Sequence, residues 1–232
     1  MGKKRIRTSL IILTRNEIEG LRAVLSRIPT DTVDEVFAVD YRSKDGTVEY
    51  FRTHGIAVIK QRKPGRAEAF RIGVTHASGE YLIFFSPDGN EDPRDIPALV
   101  DKLLLGYDLV IASRFLTGSR NEEDDQLFKF RAWANRGLTC LANVFFRGHV
   151  SDTINGYRAI TRQAYSSMHL DAKGFAVEYQ MTIRAMKRGL HIAEIPTLEG
   201  NRIGGKSTSY AIPTGIQFVG YLLREVWIGN NF

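Results

Sequence analysis

One cysteine, Cys140, stands in the 232 residues, so neither a disulfide framework nor a cysteine metal cluster can be built. A reducing compartment is thereby permitted. No apolar run approaches the roughly 20 residues needed to cross a bilayer. The basic start runs into only Ser9-Leu10-Ile11-Ile12-Leu13, too short for the apolar region of a signal peptide. Met1-Gly2 is followed by Ile6 where a myristoylation signal requires Ser or Thr. The chain is therefore expected to be soluble or peripheral. Internal repeats and low-complexity tracts are also missing. Lys3, Lys4, Arg5 and Arg7 carry no interleaved aromatics of the kind single-strand binders use, so they read as a solvated tail and no nucleic-acid partner is expected.

What is present is enough apolar residue, 43%, to bury a full core, most economically as one domain. A formal charge of +6 and a pI near 9.5 favour anionic partners. Strand-like and helix-like segments alternate. Ser9–Leu13, Glu35–Val39, Ala57–Ile59, Tyr81–Phe85, Leu109–Ala112 and His191–Leu198 read as strands. Between and after them, Glu17–Arg27 (capped by Asn16), Thr47–His54, Ala67–Ala77, Ile96–Leu105, Phe130–Phe146 and Phe175–Arg188 read as helices. The repetition predicts an α/β fold with a mostly parallel sheet covered by helices on both faces. Residues 116–130 and 199–209 read as loops, the former mobile. Domain bounds of 1–210 are expected, with 211–232 added as an amphipathic helix. That last helix is roughly 25 Å long, shorter than a hydrocarbon core, and includes Arg224 and Glu225. It is suited to lie on a membrane or to pack in an oligomer.

The chemistry sits in the turns that leave the predicted strands. Ser86-Pro87-Asp88-Gly89-Asn90-Glu91-Asp92 follows a buried strand and places carboxylate and amide oxygens at a sheet edge, where α/β proteins bind ligands. Such oxygens suit a hard divalent cation and its phosphates, although Pro-Asp-Gly also makes an ordinary turn. Thr14-Arg15-Asn16-Glu17, Asp40 with Ser43-Lys44-Asp45-Gly46-Thr47, and Lys63-Pro64-Gly65-Arg66 leave the other strands toward the same edge. Carboxylates there can accept hydrogen bonds from a base or ribose, and Arg66 can offset phosphate charge. Gly200–Ser207 formally spells a P-loop, but no acidic strand follows it to hold magnesium.

Taken in order, these segments resemble the inverting, nucleotide-sugar-dependent glycosyltransferases of family 2, with the GT-A fold, and among them the polyprenyl-phosphate hexose synthases. The resemblance covers about residues 8–210. It rests on Ile12-Leu13-Thr14-Arg15-Asn16-Glu17, Val39-Asp40-Tyr41-Arg42-Ser43-Lys44-Asp45-Gly46-Thr47, Ser113-Arg114-Phe115, and Arg131 with Asn135. Ser151-Asp152-Thr153-Ile154-Asn155-Gly156-Tyr157-Arg158, Glu194-Ile195-Pro196 and Arg202-Ile203-Gly204-Gly205-Lys206-Ser207 complete it. The resemblance implies a nucleotide-sugar donor held by Thr14, Asn16, Glu17, Asp40, Asp45, Arg66 and Asp88. It implies Mg²⁺ or Mn²⁺ at Asp88 and Asn90, and a polyprenyl phosphate acceptor aimed by Arg114, Arg131, Arg202 and Lys206. Asp88 and Asp152 become the catalytic carboxylates, Asp152 serving either as a base for a hydroxyl acceptor or as the group that orients a phosphate-binding arginine. The same resemblance implies work at the cytoplasmic face of a membrane, with the membrane surface or a separate anchor protein as partner. Two departures stand out. Tyr41 replaces an acid in the early motif, and Ser86 replaces the first aspartate of Asp-x-Asp, which predicts weaker cation binding. These losses leave open a non-catalytic nucleotide-sugar-binding module, and a family 2 transferase to a sugar or other hydroxyl is the alternative for the acceptor.

Overall fold

A computed structural model describes residues 7–123, 129–204 and 211–232. Seven strands form one sheet: β1 (Thr8–Thr14), β2 (Glu35–Asp40), β3 (Ala57–Lys60), β4 (Tyr81–Phe85), β5 (Leu109–Ser113), β6 (Arg158–Thr161) and β7 (Ile192–Pro196). Their order is β3-β2-β1-β4-β6-β5-β7. Every pairing is parallel except those of β6, which runs antiparallel to β4 and β5. Helices α1 (Ile18–Val24), α2 (Thr47–Thr53), α3 (Arg66–His76), α4 (Ile96–Leu104), α5 (Phe130–Phe146), α6 (Arg162–Ser167), α7 (Ala176–Lys187) and α8 (Ala211–Ile228) connect and cover it.

The period of two along each strand divides the core. Ile11, Leu13, Val39, Leu82 and Phe84 face a layer containing Phe70 of α3, Leu138 of α5, Tyr179 of α7 and Phe218 of α8. Leu10, Ile12, Ile83, Phe85 and Val110 face the opposite layer with Leu21, Phe51, Leu99 and Leu103 of α1, α2 and α4. Both faces are thus dry, as a parallel sheet requires. Each fully buried aliphatic or aromatic side chain contributes about 1.5–3 kcal/mol.

Three expectations are corrected. Residues 158–161 form a strand that was not foreseen, because four residues opening on an arginine carry no alternating signal. Arg158 is nonetheless completely buried, its guanidinium donating to the carbonyls of Asn155 and Glu178 and to Thr182 Oγ1. Asn16 does not cap α1. It sits in the left-handed region (φ 55°), and Glu17 occupies the N-cap position without a side-chain cap bond. The segment after residue 116 is no free loop up to Glu123. Arg120 forms a parallel bridge to Leu198, and its amide and carbonyl pair with Thr197 and Glu199, which buries Asn121 and Glu123. Polar composition concealed this, because the partners are backbone groups.

α8 is fixed on α7 by charge as well as by packing. Glu225 is fully buried and accepts from Arg184 Nε (3.0 Å), Gln180 Nε2 (2.9 Å) and Lys187 Nζ (2.9 Å). Burial alone would raise its carboxyl, but these donors hold it below the ordinary value.

Candidate active site

Because β1, β2, β3 and β4 are parallel, the turns after them share one edge. The antiparallel β6 adds the segment preceding it, residues 151–157, to that same edge. β1 lies between β2 and β4, so the chain leaves it toward both sides, the switch point at which ligand crevices open.

The turn after β4 is clamped. Gly20 of α1 lies against it so closely that an added Cβ would come within 2.8 Å of Asp88 Cα. On the other side the Ile203 amide donates to the Asp88 carbonyl and the Gly200 amide to the Asn90 carbonyl, each at 2.8 Å. Asp88 thereby faces a pocket of about 480 Å³ lined by Thr14, Glu17, Arg66, Ser86, Asn90 and Arg202, among others. Arg202 bridges two of its acids, donating to Asp88 Oδ2 at 2.7 Å and to Glu17. Arg66 reaches Ser86 Oγ at 3.3 Å and pairs with Glu178 of α7.

Carboxylates in this pocket resist ionisation. Burial, with Asp88 and Asp45 nearby, pushes Glu17 up to about 7 despite Arg202. Burial also raises Asp88 against the pull of Arg202 and Arg66. Glu91, enclosed beneath the turn with its Oε2 on the Ser86 amide at 2.6 Å, is pushed up to about 8 by burial and by Asp88.

The oxygens suit a divalent cation. Asn90 donates through Nδ2 to Glu122 Oε2 at 2.7 Å, which orients the amide so that Oδ1 is its acceptor face. That Oδ1 is buried and has no hydrogen-bond partner among the described residues. One carboxylate and one unpartnered amide oxygen, two residues apart in a clamped turn, suit a divalent cation such as Mg²⁺ or Mn²⁺, which takes most of its remaining ligands from phosphate and water. The described residues contain no group of three or more His, Cys, Asp or Glu side chains that would form a cage by themselves.

Asn16, Asp40 and Asp45 act around the pocket and not on its wall. Asn16 Oδ1 accepts from the Lys44 amide at 2.8 Å, and its own amide donates to Ser43 Oγ at 2.8 Å. Asp40 accepts from the amide and hydroxyl of Ser43. Asp45 joins the Ile18 amide to Thr47. Together they stitch the loop after β1 to the loop after β2, fixing Thr14 and Glu17 beside Asp88.

A second cavity, of about 220 Å³, adjoins the first, and Glu122, Arg131 and Phe175 line both. Its wall is mixed: Phe130, Ala134 and Leu138 of α5 and Phe218 of α8 stand beside Arg114 and Arg131, and Glu122, Glu123 and Glu178 line it as well. Asp152 is fully buried behind Arg114 and holds it with both oxygens, Oδ2 to Nε at 2.7 Å and Oδ1 to Nη2 at 3.1 Å. Oδ1 also accepts the amides of Ile154 and Asn155 at 3.1 Å. Burial would raise Asp152, yet Arg114 and these amides hold it below its ordinary 3.8. Glu199 lies 3.7 Å from Arg114 and is pushed up to about 7 by burial. Arg131 pairs with Glu122 at 3.5 Å.

Thr14, Glu17, Arg66, Asp88, Asn90, Arg131 and Arg202 are therefore brought to one pocket. Arg114 lines its neighbour with Asp152 buried behind it, and Lys206 lies outside the described residues. The sequence reading missed Glu91, Glu122, Glu178 and Glu199. Only the Glu194 motif hinted at a supporting shell of this kind, since Glu194 accepts from Ser151 Oγ and from the amides of Ser151 and Asp152 at 2.8–2.9 Å.

The fold and site define an α/β domain with a pocket of carboxylates and arginines at the carboxyl edge of its parallel strands, beside a second cavity of mixed apolar and charged lining. Residues 9–168 match the model of Glycosyl transferase family 2, and the chain belongs to that family and is a glycosyltransferase. It is 30% identical over 198 residues to glycosyltransferase AglJ of Haloferax volcanii, covering 84% of this chain and 64% of that relative. It is also 30% identical over 217 residues to the undecaprenyl-phosphate mannosyltransferase of Micrococcus luteus, covering 87% of each. Glucosyl-3-phosphoglycerate synthase of Mycobacterium tuberculosis, crystallised with Mn²⁺, UDP-glucose and phosphoglyceric acid, shares the fold. Its TM-score is 0.76 at 23% identity, over 96% of this chain and 80% of the other.

Proposed function

We propose that this glycosyltransferase moves a hexose from a UDP- or GDP-linked donor to a polyprenyl phosphate, with inversion and with Mg²⁺ or Mn²⁺. The observation that carries the acceptor class is the second cavity. Phe130, Ala134, Leu138 and Phe218 offer contacts to a hydrocarbon chain, and Arg114 and Arg131 offer theirs to its phosphate, in a wall that Glu122, Glu123 and Glu178 share. The naming of the Micrococcus relative agrees.

In this reading the diphosphate of the donor enters the pocket beside Asp88, where Arg66 and Arg202 face it. A divalent cation held by Asp88 and Asn90 would offset the charge of the departing nucleoside diphosphate. A phosphate monoester, with a second pKa near 6, is already largely dianionic at neutral pH. One of its oxygens displaces the diphosphate at the anomeric carbon in a single step, forming one C–O bond as the other breaks, and no proton needs to leave. Asp152 then serves to hold Arg114 against the acceptor phosphate. Asn16, Asp40 and Asp45 keep the donor-side loops in register for the base and ribose, and Lys206 joins the arginines at the acceptor.

The acceptor also places the chain at a membrane surface. No described helix is long and apolar enough to cross a membrane. However, α5 and α8, which line the second cavity, expose Trp133, Val144, Ile216, Leu223 and Trp227 (87% exposed). Such adjoining apolar faces suit the headgroup boundary of the cytoplasmic leaflet, where a polyprenyl phosphate presents its charge.

The test incubates the purified chain and Mg²⁺ or Mn²⁺ with UDP- and GDP-hexoses, with and without undecaprenyl or dolichyl phosphate, and follows nucleoside diphosphate and glycolipid together. Release that depends on the lipid and matches glycolipid formed is expected. Binding of a nucleotide-sugar with no release on either lipid would transfer the assignment to a hydroxyl acceptor or to a binding module.

A further inference from the structure

Glu178 stands between the two cavities. It lines the second one, while its partner Arg66 lines the donor pocket. The side chain is 3% exposed. Oε1 takes the Arg66 guanidinium, and Oε2 is buried with no hydrogen-bond partner among the described residues.

The surroundings are built around this pair. Gly156 leaves room for it, since a Cβ there would overlap Arg66 Nη2 and lie 3.0 Å from Glu178 Oε1. Arg158 Nη1 fixes the Glu178 backbone carbonyl at 2.9 Å, and the buried Arg184–Glu225 contact fixes the far end of α7 against α8. Arg158 cannot serve Oε2, because its donors are committed to Asn155, Glu178 and Thr182. A buried carboxylate oxygen left without a donor is costly and rare in folded chains.

An ionised carboxylate accepts hydrogen bonds and donates none. The phosphates of donor and acceptor are acceptors too, and they carry the same charge, so neither can satisfy Oε2. The group that travels between the two cavities and does carry donors is the hexose itself. We propose that Glu178 Oε2 accepts a hydrogen bond from a hydroxyl of the transferred hexose, with Arg66 holding the carboxylate in place. Glu178 is then a determinant of which sugar is accepted. A site that pairs with a substrate hydroxyl strongly rejects the analogue that lacks it. The inference rests on the nucleotide-sugar reading above.

The test is binding by calorimetry with Mn²⁺ present and no acceptor added, on the full chain. The titrants are UDP, GDP, the nucleotide-hexose that wild type prefers, and its singly deoxygenated hexose analogues. Wild type is expected to lose about ten- to a hundredfold in affinity for one deoxy analogue and little for the others, the scale of a hydrogen bond to a charged group. Whatever releasing Arg66 does to the bare nucleoside diphosphate, Glu178→Gln should lose the hexose's share of the affinity, binding nucleotide-hexose relative to nucleoside diphosphate as wild type binds that deoxy analogue, and no longer distinguish hexose from deoxy analogue. Equal sensitivity of wild type to every deoxy position would overturn the proposal without any variant. So would an equal change for the nucleoside diphosphate and the nucleotide-hexose in Glu178→Gln with discrimination of the deoxy analogue retained, which marks a support for Arg66 only. Unchanged binding with lost turnover, or an effect seen only once polyprenyl phosphate is added, would overturn it as well. If wild type binds no nucleotide-hexose at all, the proposed function falls first and this inference with it.

Discussion

Asp152→Asn separates an orienting carboxylate from a catalytic base. Asp152 is completely buried, and both oxygens grip Arg114 at 2.7 and 3.1 Å. Removing one partner of a buried ion pair costs about 3–5 kcal/mol. Glu199, 3.7 Å from Arg114, can take over part of the load, so the lower end of that range is expected. In a chain of this size about 3 kcal/mol lowers Tm by roughly 6–12 °C. The carboxyl is held below its ordinary 3.8, so its contribution to stability is present above that value and is lost only as pH falls through the depressed one. Across an assay from about pH 5 to about pH 9 it stays ionised and can give no acid limb. The limb expected in kcat/KM lies near 6, from the acceptor phosphate. Asp152→Asn should keep that limb, lower Tm, and raise the KM for polyprenyl phosphate much as Arg114→Ala does. The double variant should then be little worse than Arg114→Ala alone, because both changes act through one guanidinium. A stable Asp152→Asn with unaltered acceptor KM, kcat down more than about a thousandfold and the acid limb gone would refute the reasoning and make Asp152 the base.

Ser86→Asp should tighten Mn²⁺ binding, measured by titration in the presence of UDP or GDP. A unit charge at about 4 Å and an effective dielectric near 20 sets an upper bound of about 4 kcal/mol. Arg66, 3.3 Å from Ser86 Oγ, will claim much of it, so roughly tenfold is expected and an unchanged or weaker affinity would remove the cation from this turn. Leu223→Glu with Trp227→Glu changes side chains that are 61% and 87% exposed, so stability should move by about 0.5 kcal/mol or less per site. Cosedimentation with anionic vesicles should weaken by about tenfold or more, and retention of wild-type binding would show that α8 does not rest on lipid.

The sheet was legible because its strands are short, continuous apolar runs punctuated by turns. Tyr81–Phe85 and Phe130–Phe146 emerge with the bounds that periodicity predicts. β6 was not, since a buried arginine satisfied by carbonyls looks from the sequence like a surface residue. That Thr14, Glu17, Arg66, Asp88 and Asn90 come together was legible because parallel strands deliver successive turns to one edge, whereas Arg202, expected at the acceptor phosphate, lies in this same pocket against Glu17 and Asp88. Glu178 and Glu199 were not, because each reaches its arginine from an element more than 80 residues away in the chain. No local pattern encodes such a pairing.

The balance of charge in the pocket beside Asp88 bears on how the proposed donor and cation bind. Arg202 is shared by Glu17 and Asp88, and Arg66 is tied to Glu178. Glu91 lies under the same turn with only backbone and a more distant Arg66 to offset it. Burial first, and then one another, push these carboxyls up, so near neutral pH they shed part of their charge by holding protons where the arginines do not offset it. Ser86 relieves that excess by one charge, at the position where Arg66 approaches. A diphosphate arriving alone would worsen the repulsion, whereas one arriving with a divalent cation brings positive charge to Asp88 and frees Arg202 to turn from the carboxylates to phosphate. Donor and cation should therefore bind cooperatively, the carboxylates repelling a bare diphosphate and the diphosphate supplying the cation with the ligands that Asp88 and Asn90 alone do not.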